Sequence, residues 1–67
     1  MESIVRELVA IRKKQKISQE ELAGRMHVSR TVLARVESGK SSPKLVTVEK
    51  IAQALGFRLI LAEDKKG

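Results

Sequence analysis

The side chains of this chain that could do chemistry are mostly cationic. Fourteen Lys and Arg stand against eight Asp and Glu, for a formal charge of +6 and a pI near 10.2. Arginine carries a planar fork of N–H donors that matches a phosphate or the O6/N7 edge of guanine, and lysine carries a point charge. Both suit the binding of anions and base edges. The groups that bond-breaking needs are missing or isolated. There is no cysteine and a single histidine, His27. That excludes disulfides and an ordinary four-ligand zinc site, so no metal is expected. No carboxylate pair sits in apolar surroundings and no Gly-rich phosphate loop is present, so an enzyme, a cofactor and a small-molecule substrate all lack support. Phe57 is the only aromatic residue, which disfavours single-strand readers that stack bases on aromatic platforms. A basic domain of this kind takes double-stranded nucleic acid or an anionic membrane surface as partner.

The elements that position these groups come from one small domain, expected to span residues 1–67. A chain this short buries only about 60% of the surface its unfolded form exposes. With disulfides and metal excluded, oligomerisation is the remaining staple, and a homodimer is expected. Ile4, Val5, Leu8, Val9 and Ile11 form a helical stripe that predicts a helix from Ser3 to Lys16. Ser18-Gln19-Glu20-Glu21 is a capping box that starts a second helix at Gln19, ending near Met26, with Leu22, Ala23 and Met26 inward. Ser29 caps a third from Arg30 to Glu37, with Leu33 and Val36 inward. Ser42-Pro43 predicts the start of a fourth, closed by Gly56, with Leu45, Val48, Ile51, Ala52 and Leu55 buried. Residues 57–62 then alternate as a strand, Phe57, Leu59 and Leu61 on one face and Arg58, Ile60 and Ala62 on the other. A lone strand is an unpaired edge, and pairing with its copy in a second chain removes that liability. No apolar run approaches the roughly 20 residues that span a bilayer. The N-terminus lacks the apolar stretch of a signal peptide, and a cysteine-free basic chain fits the cytoplasm.

Two short helices joined through Met26-His27-Val28 have helix-turn-helix spacing. Residues 18 to 40, SQEELAGRMHVSRTVLARVESGK, resemble the DNA-binding domains of phage repressors, Cro-like proteins and bacterial Xre-type regulators. The resemblance runs from the first helix to Gly56. Its more specific marks are S-Q-x-E-L-A, the V-S turn, and V-E-S-G-K followed by S-P. It implies a mainly α, four-helix repressor-like fold with the motif at 18–37, to which the pattern above adds a C-terminal dimerisation strand at 57–62. It implies phosphate contacts from Gln19, which sits at a helix N-terminus, and from Ser38 and Lys40; Ser29 is expected to combine N-cap and phosphate contact, and Ser18 and Ser41 are further candidates for phosphate. It also implies a structural ion pair between Arg12 and Glu37. His27 departs from the pattern: the family usually has Gly there, often at positive φ, which costs a non-Gly residue on the order of 1 kcal/mol.

The third helix is then the recognition helix, its N-terminal residues entering the major groove. Arg30 and Arg35 can each bond guanine bidentately, Thr31 can bond a base or phosphate, and Val32 can pack on a thymine methyl. The function these features imply is a sequence-specific regulator of transcription, acting as a repressor on a palindromic operator as a homodimer. It would be bacterial or phage-encoded, cytoplasmic and nucleoid-associated. The dimer interface is expected at Phe57, Leu59, Ile60 and Leu61. A Leu-alternating strand directly after L-G resembles small HipB-like antitoxins, so a toxin protein is a further candidate partner. The alternative from another class is a protein-binding adaptor that uses the fold without reading DNA; its mark would be an apolar outer face on the third helix, which Arg30, Thr31 and Arg35 argue against. A membrane-surface role is disfavoured because the apolar face of the first helix is needed for the core.

Overall fold

The computed structural model describes residues 2–60, which form four helices: α1 Glu2–Lys14, α2 Gln19–Met26, α3 Arg30–Glu37 and α4 Leu45–Ala54. α2 packs on α3 and α4, and α1 packs on α3 and α4. The core between them is aliphatic: Val5, Leu8, Ile17, Leu22, Ala23, Leu33, Val36, Val48, Ile51, Ala52 and Leu55. Leu22, Leu33 and Val48 are completely enclosed, one from each of the last three helices. Met26 and Val28 pack on the edge of this core. Among the described residues no helix is long and apolar enough to cross a membrane.

The starts of α2 and α3 are set by serine. The Ser18 hydroxyl accepts from the backbone N–H of Glu21 at 3.0 Å, and that of Ser29 accepts from Val32 at 3.2 Å. Each satisfies a donor that the first helical turn leaves without a partner. The return half of the expected capping box does not form. The Glu21 carboxylate accepts instead from Arg25 Nη2, one turn on, at 2.8 Å.

All four helices end on one device. A residue in the left-handed conformation follows the last turn, and two backbone bonds close back over it. At α1 these are Lys16 N–H to the Lys13 carbonyl and Ile17 N–H to Arg12. At α2 they are His27 to Gly24 and Val28 to Ala23; at α3, Gly39 to Val36 and Lys40 to Arg35; at α4, Gly56 to Gln53 and Phe57 to Ala52. The turning residues have φ of 61° at Lys16, 59° at His27, 80° at Gly39 and 87° at Gly56. Two helix ends therefore use the residue that adopts this conformation freely, and two do not. The motif at Lys16 also ends α1 earlier than the apolar stripe predicts, and it turns Ile17 into the core.

Three further expectations need correction. α4 begins at Leu45, not at Pro43, and its N-cap is Lys44, which makes no side-chain cap bond. Lys44 is extended, with ψ 157°, so Ser42-Pro43 lies outside the helix and Ser42 cannot serve as its cap. Leu45, expected inside, is 51% exposed because it sits on the first turn, before the helix reaches the core. Residues 57–60 carry no strand ladder, and among the described residues there is no strand. A strand is defined by its pairing, and a single chain offers this segment no second strand. Leu59 is half-buried against the core while Phe57 and Ile60 are 49% and 71% exposed. Leu61 and Ala62 lie outside the described residues.

Candidate nucleic-acid interface

α3 buries Leu33 and Val36 and turns its opposite side outward. That side carries Arg30, Thr31 and Arg35, all exposed, with the smaller Ala34 half-buried between them. The turn after α3 brings Ser38 and Lys40 to the same place. Arg30, Thr31, Ala34, Arg35, Ser38 and Lys40 together line an open concavity of about 270 Å³ with no acidic residue in its wall. Val32 is 48% exposed but does not line it. Ser41 is half-buried beyond the turn and also stands outside it.

Behind this surface lies a polar network. Arg12 Nε donates to Glu37 Oε2 at 2.7 Å and Nη2 to Oε1 at 2.9 Å, a bidentate pair. The two side chains are 9% and 8% exposed. The third arm, Nη1, donates to the Ile17 carbonyl at 2.7 Å, which holds the turn between α1 and α2. Burying a guanidinium is costly unless its donors are met, and here all three nitrogens are. Glu37 Oε1 also accepts from Gln19 Nε2 at 2.9 Å, and the Gln19 carbonyl oxygen receives Arg30 Nη1 at 3.4 Å. Four side chains from three helices thus run in series from the interior to the concavity.

The hydroxyls differ in what they have left to offer. Ser18 and Ser29 use their oxygens as acceptors, so each keeps its proton for an outside acceptor. Ser38 Oγ donates to the Arg35 carbonyl at 3.0 Å, so its single proton is already used and reaching a phosphate requires the hydroxyl to rotate. Gln19 has its amide engaged at both ends, but as the first residue of α2 its backbone N–H lacks a helical partner. Arg30 and Glu37 lie two turns apart on α3, but the spacing of residues in the chain gave no sign that Gln19, on another helix, joins them. The signal available was chemical: a carboxylate, an amide and a guanidinium meeting near one helix pair.

Elsewhere, Arg25, Met26, His27, Val28, Lys50, Gln53 and Ala54 line a larger open hollow of about 560 Å³. His27 is exposed and takes the left-handed conformation of the helix end. Among the described residues no cluster of three or more His, Cys, Asp or Glu could hold a metal ion.

Comparison with known proteins finds a helix-turn-helix family profile that matches residues 8–60. The immunity repressor of Bacillus phage phi105 is 42% identical over 50 residues, which cover 75% of this chain and 35% of that protein. An uncharacterized HTH-type transcriptional regulator of Methanothermobacter thermautotrophicus is 41% identical over 56 residues, 84% of this chain and 77% of the relative. Antitoxin HigA1 of Mycobacterium tuberculosis is 41% identical over 58 residues, 87% of this chain and 39% of the antitoxin. The chain spans only about a third of the phage repressor and of a Sinorhizobium fredii regulator that it also matches, at 35% and 33% of their lengths. No solved structure matches it significantly.

Proposed function

The chain belongs to the helix-turn-helix family of Xre- and Cro-like DNA-binding regulators, which are not enzymes, and from that premise we propose that it represses transcription by occupying a specific duplex site. The observation that carries this reading is the acid-free concavity of Arg30, Thr31, Arg35, Ser38 and Lys40 on the exposed side of α3. A helix fits the major groove, and a guanidinium there reads guanine, so Arg30 and Arg35 are the base readers, with Thr31 beside them and Val32 toward a thymine methyl. Lys40 contacts phosphate, joined by Ser18, Gln19, Ser29, Ser38 and Ser41 around the rim. Arg12 and Glu37 form the structural pair behind them. The adaptor alternative is disfavoured because the outer side of α3 has Val32 as its only large apolar residue.

The operator is palindromic and the protein acts as a homodimer in the cytoplasm, on the nucleoid. Phe57, Leu59, Ile60 and Leu61 form the dimer interface, the segment becoming a strand when it pairs with its copy. The exposure of Phe57 and Ile60 supports this. Kinship with antitoxin HigA1 favours a second reading, in which the same protein also binds a toxin. Relief by this chain of growth arrest caused by a neighbouring gene product would establish it; arrest without relief would dismiss it. For the main proposal, duplexes selected from a random pool should converge on a palindrome with half-sites roughly 34 Å apart. A pool that shows no enrichment refutes specific DNA readout. Sedimentation of Ile60→Asp should show monomers, and an unchanged dimer moves the interface elsewhere.

A further inference from the structure

Glu37 is mostly buried and does not line the concavity, yet two bonds link it to Arg30. The amide of Gln19 is the link, and its orientation is compelled by its neighbours. An ionised carboxylate only accepts hydrogen bonds and a guanidinium only donates them. Gln19 must therefore turn its NH₂ to Glu37 and its carbonyl oxygen to Arg30. Arg12 holds the other end by fixing both oxygens of Glu37. We infer that Glu37 is a positioning residue for base readout: it sets the polarity of the Gln19 amide so that a carbonyl oxygen holds Arg30 Nη1 and leaves the Nε and Nη2 edge of the guanidinium for a guanine.

This inference rests on the proposal that Arg30 reads a base. Without the Gln19 oxygen, Arg30 is an exposed side chain with many rotamers, and ordering it at the groove costs free energy that the tether has already met. Oε1 of Glu37 accepts from Arg12 Nη2 as well as from Gln19, so Glu37 is removed cleanly only together with Arg12. In Arg12→Met/Glu37→Met the Gln19 amide is free to turn either end to Arg30. Adding Gln19→Glu restores the acceptor, because a carboxylate presents oxygen whichever way it turns.

The test measures binding of the selected duplex and of its three substitutions at the base pair that Arg30→Ala relaxes. Wild type, Gln19→Met, Arg12→Met/Glu37→Met and that double variant with Gln19→Glu added are compared by fluorescence anisotropy, at a temperature where thermal melts show each to be folded. Arg30→Ala should lose roughly 5- to 150-fold discrimination at that pair. Gln19→Met should lose about two- to tenfold there, the range of one hydrogen bond, and nothing further in an Arg30→Ala background. Arg12→Met/Glu37→Met should lose a similar factor at that pair and keep its discrimination at other positions, while adding Gln19→Glu regains it. A purely structural role would lower affinity on every duplex alike and leave the ratios unchanged. Undiminished discrimination in Gln19→Met, or no recovery when Gln19→Glu is added to Arg12→Met/Glu37→Met, overturns the inference and leaves Arg30 as a reader. Failure of wild type to select any duplex, or of Arg30→Ala to relax any pair, overturns the proposed function instead.

Discussion

Replacing Arg12 with Met removes three charge-assisted donors from a nearly closed space. Glu37 loses both of its short bonds and keeps only the Gln19 amide, and the Ile17 carbonyl loses its side-chain donor. Met fills a similar volume, so cavity formation is a minor part of the cost. The main part is a carboxylate left buried without its cation, which typically costs about 3–5 kcal/mol. A chain of 67 residues has a total stability of about 3–10 kcal/mol at ordinary per-residue values. Arg12→Met should therefore consume a third or more of the stability, and a protein at the low end of that range would unfold at room temperature. Adding Glu37→Met should recover most of the loss, because an apolar pair of matched volume often equals or exceeds a buried ion pair. The recovery should stop short of full, since the Ile17 carbonyl stays without Arg12, a deficit of about 1 kcal/mol. Urea unfolding followed by circular dichroism gives all three numbers from midpoint and slope. The reasoning fails if Arg12→Met costs under about 1 kcal/mol, or if the double variant is less stable than Arg12→Met alone.

Lys16→Gly and His27→Gly should each raise stability by about 0.5–1 kcal/mol, the relief of a left-handed backbone less the added freedom of the unfolded chain; a lowered urea midpoint for either would contradict this. Lys44→Asp supplies the missing cap of α4 and should stabilise by about 0.5–2 kcal/mol, so an unchanged melting temperature would show that α4 starts differently. Lys40→Ala should weaken binding to specific and random duplexes alike and flatten the slope of log affinity against log salt by about 0.9, whereas Arg30→Ala should cost roughly 1–3 kcal/mol at one base pair only. Equal losses for Arg30→Ala on all duplexes would remove it from the readers.

The two middle helices were readable because their signals are local. Ser18 and Ser29 bond the very N–H groups their positions imply, and α2 and α3 begin and end where the capping and turn residues put them. What was not legible depended on geometry across the fold. Ser-Pro reads as a helix start, but only the conformation of Lys44 shows that the chain stays extended past Pro43. Leu45 keeps the apolar period of α4 yet stays half exposed, and period alone says nothing of where a helix enters the core. Ile17 was missed because its burial follows from a left-handed lysine, a residue type that gives no turn signal. The alternation of residues 57–62 was visible, but a strand needs a second strand, which one chain's sequence does not contain. At the candidate interface the cations of α3 were readable from helix phase, while the Gln19 bridge required the two helices to be packed first.

The uniform way the helices stop has an evolutionary side. The bonds that close α3 run between main-chain atoms of residues 35–40, and they ask only for a left-handed residue at Gly39. None of the outward side chains at 30, 31, 32 and 34 takes part in ending the helix. A lineage can rewrite those letters without changing how long the helix is or where Lys40 stands after it. The chain thus separates its vocabulary from its grammar, and grafting those positions from another member of the family should transfer its preference while the scaffold stays the same.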